Sequence, residues 1–472
     1  MAKVFSINDF KAGLDVRRTP LTAPGGTLRI LENAVINSGG EIEKRLAFSV
    51  MTTLPTNTLY AVGHGGAVHV FGFGLGAVVP GVTPVPIVAH NLAAPAGDTV
   101  DEILDVEPYG FAFFVCGYSR GSNTYYCWYN DALVNGAPGT GLAHGSYART
   151  FKTKVYRTYG AGLYFSGVGD PAVNDPASTS SPGAGFIDMS LNDPEGEATV
   201  SMEVYQSQMA VFARMVTQIW ALDPDPTKDE LKQIIRIGTF APHSVSQFTT
   251  GDILFLSDSG VRSLRTITIT AIAGVNDIGS PIDPIWSELI RFDPQWAAQA
   301  QSTIHPMRGA YWISFKDAIY VLSYYPAAHV TAWSKFTLNY QVAEFLNVNN
   351  LMFSRGTNNV LYLYGGLSRT EYDSVKVVVR TPHLSIEGAT VNKRIQSMDV
   401  MCQGAWSLSA GMLPNNTEAF ELVANIQDNT YGLKSIPFAG YGTHIGLHLE
   451  HQAPGPALLA AVNLNINEGV TK

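Results

Sequence analysis

Apolar residues along this chain come in short runs rich in Val, Ile, Phe, Tyr and Trp, each broken by a polar or glycine-bearing turn. Such punctuation predicts strands joined by hairpins rather than helices. Seven groups of runs stand out, at Leu59–Phe73, Gly110–Tyr129, Val155–Ser166, Val204–Leu222, Asp252–Ile267, Ala310–Phe336 and Leu351–Tyr364. They recur roughly every 40–60 residues, the size of a four-stranded blade, so residues 51–375 predict an irregular β-propeller of about six to seven blades. No Gly-His…Trp-Asp pattern repeats, which separates these groups from WD40 and kelch arrays.

The flanks read differently. After residue 375 the alternating runs lengthen (VKVVVRTPHLSI, RIQSMDVMCQ, THIGLHLEH, LLAAVNLNIN) and predict a C-terminal β-sandwich over 376–472. Residues 1–50 have turn signals at Pro24-Gly25-Gly26 and Ser38-Gly39-Gly40 but no clear period, and predict an N-terminal arm. Within the propeller region, Pro284–Thr303 favours helix; Asp293 before Pro294 places a short one at 294–303. Gly167–Glu197, dense in Pro, Gly, Ser, Asp and Asn, predicts a surface loop. The expected fold class is therefore all-β.

Composition supports this picture. The chain has 472 residues, too many for one unrepeated core, and only 15% are charged, while 45 Gly and 26 Pro supply turns. It opens on a polar, mixed stretch that predicts no export signal, and the apolar region 77–96 is broken by Pro80, Pro84, Pro86 and Pro95, so no membrane helix is expected. Cys116, Cys127 and Cys402 match no disulfide or metal framework and predict reduced, buried thiols. Between the flanks, 17 basic residues face 27 acidic ones. A surface of that sign does not grip nucleic-acid phosphates.

Five constellations invite a test for chemistry. Gly117-Tyr118-Ser119-Arg120-Gly121 matches the G-x-S-x-G nucleophile pattern, but β-favouring residues follow where a helix is required, so a hairpin tip is expected. Gly72-Phe73-Gly74-Leu75-Gly76 is followed by prolines rather than the helix a dinucleotide loop needs. The four carboxylates Asp223, Asp225, Asp229 and Glu230 lack the turn glycine of an EF-hand loop. His444 and His448 share a strand face but lie about 13 Å apart, too far for one metal, and His451 falls on the other face. Ser257-Asp258-Ser259-Gly260 resembles part of a sialidase-type turn and equally suits an ordinary hairpin. The sequence thus nominates no catalytic, cofactor-binding or metal residues, and no cofactor.

Gly13-Leu14-Asp15-Val16-Arg17-Arg18, Gly25-Gly26-Thr27-Leu28-Arg29, Leu31-Glu32-Asn33-Ala34 and Gly40-Glu41-Ile42-Glu43-Lys44-Arg45, in that order, resemble the opening of tail hub and nozzle proteins of short-tailed bacteriophages, including packaged-DNA stabilisation proteins. The similarity continues at Met209–Leu222, at a helix near 285–303 leading to Ala310–Leu322, and at Ala332-Trp333-Ser334-Lys335-Phe336. It implies a non-enzymatic virion protein, made in the host cytoplasm and located in the tail. As family members do, it would form a hexameric ring below the portal and adaptor, with a fibre, needle or spike beneath. Genomic DNA would pass through the lumen without specific binding, and no membrane would be involved. A different class of function stays open beside it, a receptor- or glycan-binding and even glycan-cleaving propeller, suggested by the aromatics at Tyr125–Tyr129 and the Ser257–Gly260 turn.

Overall fold

A computed structural model describes residues 3–77, 83–135, 143–193, 195–249, 251–267, 272–385 and 392–468. Each of the seven sequence groups forms the middle of one blade. Blade 1 consists of Thr58–His64, Ala67–Gly72 and Ile87–Asn91; blade 2 runs from Glu102–Tyr109 to Ala132–Leu133, and blade 3 from Tyr147–Phe151 to Gly185–Asp188. Blade 4 spans Ser201–Tyr205 to Glu230–Ile235, blade 5 Ser246–Thr249 to Ile272–Asn276, and blade 6 Ser302–Ile304 to Val330–Thr337. Blade 7 takes Val342–Val348, Leu351–Gly356 and Val360–Tyr364, and its outer strand, Phe48–Thr53, comes from the far N-terminal side. The first strand of each blade packs beside the first strand of the next, and that of blade 7 beside that of blade 1, so the ring is closed.

Tight hairpins make the blades compact. The first turns of blades 1, 3, 4 and 7 hold consecutive residues at positive φ: Gly65 and Gly66, Lys152 and Thr153, Gln206 and Ser207, Asn349 and Asn350. Paired positive φ values define the type I′ turn, whose twist matches that of the flanking strands. Between blades, apolar faces interdigitate, as where Tyr205, Ala210, Phe212 and Ile219 of blade 4 meet Val245, Ile253, Phe255 and Leu264 at blade 5.

The sequence separates an arm over 1–50 from a sandwich over 376–472; the structure joins them. Ile30–Glu32 lies between Val330–Thr337 of blade 6 and Val377–Arg380, so that one sheet continues from the propeller into the C-terminal strands. There the strand Lys393–Gly411 pairs with Glu421–Gly442 along one edge and with Leu458–Glu468 and His444–His451 along the other. Lys3–Ile7 adds to Leu458–Glu468. The physical reason is a common core: Phe10, Leu28, Leu31 and Ala34 of the arm are fully buried with Trp333, Met398, Val400, Leu447 and Leu464.

Residues of the arm fasten this joint. A Cβ on Gly13, at φ +61°, would come within 2.7 Å of the Ala332 side chain, so only glycine admits this contact. Asn33, itself at φ 57°, donates to Thr337 Oγ1 and the Lys376 carbonyl, and accepts from the Thr337 backbone and Arg45 Nε. Arg45 also donates to Asp373 Oδ2 at 3.0 Å, and the buried Lys44 ammonium donates to the carbonyls of Asp373 and Ala453.

Two local expectations are corrected. The helix expected at 294–303 is shorter, α2 at Pro294–Ala298, and a longer amphipathic one, α1 at Asp283–Phe292, precedes it, buries Trp286 and covers blade 6. Asp293 makes no side-chain cap; its carboxylate is taken by Lys316 Nζ at 2.8 Å. Gly167–Glu197 is not all loop, because Gly185–Asp188 is the outer strand of blade 3, where no apolar alternation is needed on its exposed face.

Candidate functional site

All seven first strands line one cavity of about 400 Å³, the central channel. Arg149 of blade 3 dominates it. Its guanidinium reaches Asp105 Oδ2 at 3.2 Å and Glu107 Oε2 at 3.5 Å on blade 2, and Glu203 Oε2 at 3.2 Å on blade 4. It lies over the Tyr147 ring at 4.2 Å and also contacts that hydroxyl. Asp105 and Glu107 further accept the backbone N–H groups of Ala148 and Thr150, so each carboxylate clasps the neighbouring blade. Across the channel, Glu344 pairs bidentately with Arg355, which also donates to the Leu59 carbonyl of blade 1 at 2.9 Å. Tyr60 and His243 complete this ring of polar groups.

Three carboxylates sharing one buried cation cannot all stay ionised cheaply. Burial pushes Glu107 up to about 7, against the opposing pull of Arg149 and the Thr150 N–H. Burial also raises the Tyr60 and Tyr147 hydroxyls and lowers His243. Burial opposes the charge on Arg149 too, but Tyr147, Asp105, Glu203 and Glu107 together hold it well above its ordinary value.

A pH effect follows. Because the pKa of Glu107 rises on folding from 4.5 to about 7, the folded state keeps a proton between those values that the unfolded chain has released. Stability from this group is full below about pH 4.5 and declines as pH approaches 7, by on the order of 3 kcal/mol. Urea unfolding of Glu107→Gln, compared with wild type at pH 5 and pH 8, is expected to show a flatter profile; parallel profiles would contradict the assignment.

The constellations singled out in the sequence lie elsewhere, apart from one another. Ser119 ends a strand at a hairpin tip and donates to Asp98 Oδ1 at 2.8 Å. Ser122, Tyr126 and Ser119 all donate to Asp98, holding it down to about 2. Gly72 ends a blade 1 strand, and residues 78–82 beyond it lie outside the described residues. Asp223, Asp225 and Asp229 accept hydrogen bonds from within their own loop. Asp258 and Ser259 are a two-residue hairpin turn, with Asp258 paired to Arg214 at 3.0 Å. Of the strand histidines, His448 meets Glu450, His451 meets the Ala405 carbonyl, and His444 meets Thr443. Tyr126 and Trp128 are blade core, and Cys116 and Cys127 face each other, buried, on adjacent strands.

Sequence reasoning missed the channel set. Its one signal was charge on alternating strands, Asp105 and Glu107 two apart and then Arg149, two after Tyr147, in a chain otherwise poor in charge.

No protein-family model matches the chain. No curated protein matches it either. Solved propellers resemble it loosely. Over 68% of this chain and 89% of theirs, the WD40 domain of Neurospora crassa Pan2 is 9% identical with a TM-score of 0.37. BamB from Moraxella catarrhalis is 10% identical over 68% of this chain and 95% of its own, with a TM-score of 0.33. An exo-β-1,3-galactanase from Phanerochaete chrysosporium is 9% identical over 79% and 96%, with a TM-score of 0.24.

Proposed function

We propose that this chain is a non-enzymatic structural subunit of a short-tailed phage tail, assembling with copies of itself into a hexameric hub or nozzle ring that extends the DNA channel and helps retain packaged DNA. One observation carries the reading. Among the described residues the long strand Glu421–Gly442 pairs only with Lys393–Gly411, which leaves its outer edge open, and Leu422, Leu433 and Tyr441 on it are 63%, 58% and 64% exposed. Natural proteins blunt or cover so long an edge, and exposed apolar residues along one favour cover by another chain. A closed ring needs heterologous contacts, one face of each subunit on a different face of the next. The continuous sheet and shared core between propeller and C-terminal strands suit such a subunit, because they tie the edge to the propeller. The adaptor and portal above, and a fibre, needle or spike below, are the partners this reading assigns.

Mass photometry and negative-stain imaging of the purified chain are expected to give ring-shaped oligomers, and Leu433→Arg with Tyr441→Arg to give folded monomers. A wild-type chain that stays monomeric at every concentration and is absent from purified particles overturns the reading. No measurable affinity for duplex DNA is expected at physiological salt, given the acidic middle region; tight, salt-sensitive binding would count against a repellent lumen.

A receptor- or glycan-binding module is the second reading, favoured by Glu107 with its near-neutral pKa beside Tyr60 and Tyr147 in the channel. Glycan-array binding, or sugar release lost in Glu107→Gln, would select it.

A further inference from the structure

Where the arm crosses the C-terminal sheet there is a second, smaller cavity of about 170 Å³, unrelated to the channel and to the open strand edge. Arg29, Arg380, His383 and Glu418 line it. The two arginines are cross-strand neighbours, joined by the Arg29 N–H donating to the Arg380 carbonyl at 2.7 Å. His383 is tied to the arm by its own N–H, which donates to the Pro20 carbonyl at 3.0 Å. The residue is 2% exposed, and its Nε2 is buried with no hydrogen-bond partner. The surroundings are shaped to admit this ring. A Cβ on Gly446 would come within 2.8 Å of it, and a Cβ on Gly411 within 3.1 Å of Nε2.

Two guanidinium groups border one small cavity, Arg29 also donating through Nη1 to the Arg18 carbonyl at 2.7 Å, and with the His383 ring in the wall they form a basic setting for a negative group. The volume is well below the roughly 300 Å³ that a drug-sized ligand needs, so it suits a single oxyanion and not a nucleotide or sugar. The structure contains its own example of the ligand: Glu418, whose side chain is 73% exposed, extends from a loop and accepts from Arg380 Nη1 at 2.5 Å. Burial lowers the pKa of Arg29 and of His383, and the charge of Glu418, the carboxylate that Arg380 holds, acts in the opposite sense on both.

We propose that this cavity is an oxyanion site, which takes the carboxylate or phosphate terminus of an incoming group, and that Glu418 holds the site until that group displaces it. An oxyanion accepting from Arg380 in this cavity gains charge-assisted hydrogen bonds away from bulk water, whereas Glu418 offers a mostly exposed carboxylate.

The test is thermal unfolding of the full chain titrated with inorganic phosphate, and separately with acetate, at ionic strength held constant with NaCl. A saturable rise in Tm is expected with at least one. An exposed ion pair competes weakly, so Glu418→Gln is expected to lower the half-saturating concentration about fivefold. Arg380→Gln is expected to abolish the response. As a readout that does not depend on that variant folding, the His383 ring resonances in 15N-histidine-labelled Glu418→Gln protein should shift with the same half-saturation. Response to acetate alone, phosphate alone or both identifies the terminus accepted, and each supports the site. No saturable response in Glu418→Gln, a response unchanged in Arg380→Gln, or unmoved His383 resonances would each overturn it.

Discussion

Replacing Arg149 with methionine is expected to destabilise the protein by about 3–5 kcal/mol at pH 8, the range found when a buried ion pair loses one partner. The side chains of Asp105, Glu107 and Glu203 are 4%, 15% and 14% exposed, so water cannot take over from the guanidinium. Methionine fills much of the volume, which isolates the electrostatic loss from a cavity. At pH 5 the deficit should shrink, because carboxyls without a cation bind protons more readily in the folded state. Stability of the variant should thus fall more steeply with rising pH than that of wild type. Urea unfolding at both pH values measures this, with Arg120→Met, at a 70% exposed side chain, as a control expected to stay within about 0.5 kcal/mol of wild type. An Arg149→Met deficit of equal size at both pH values would refute the shared-cation account.

Trp312→Ala is expected to cost about 3–5 kcal/mol as well, for a different reason. The indole is 2% exposed and sits where blades 6 and 7 meet the arm, edge-on to Tyr364 at 4.9 Å and Phe336 at 5.4 Å, with Phe48 at 6.0 Å. Removing it opens a cavity that rigid strands on every side cannot close. Trp312→Phe separates packing from polarity. Phenylalanine keeps most of the ring contacts and deletes an indole N–H that is buried without a partner, a group whose retention itself costs about 1–3 kcal/mol. That variant should lie within about 1.5 kcal/mol of wild type by chemical denaturation. If it is as damaging as alanine, the aromatic cluster is not what the indole supports.

Strand groups were legible because blade cores demand runs such as Phe113–Cys116 and Phe353 with Leu361–Leu363, whatever surrounds them. The first hairpin turns were less so. Lys152-Thr153 and Gln206-Ser207 adopt the positive φ values that Asn-Gly would advertise, held there by the strands on both sides. The helix at Pro294 starts where Asp293-Pro294 indicates but ends early, and the longer helix that starts at Asp283-Pro284 has no separate counterpart among the sequence expectations. The union of arm and C-terminal strands could not be read at all. Leu31 and Val379 are partners across some 350 residues, and no local pattern records which distant strand an edge will meet. The channel set was hidden for the same reason, since Asp105, Arg149 and Glu203 become neighbours only when three blades are side by side.

Closing blade 7 with Phe48–Thr53 also sets a timetable for synthesis. The strand emerges from the ribosome near the beginning, but its partner Val360–Tyr364 follows only after about 300 further residues. At translation speeds of roughly 5–20 residues per second, the early strand waits for something like 15–60 s with one edge unmatched. Completion is then nearly all-or-none, because the same late segment that satisfies Phe48–Thr53 also brings blade 7 against blade 1. A chain that ends before Val360–Tyr364 has no partner for Phe48–Thr53 and cannot close the ring.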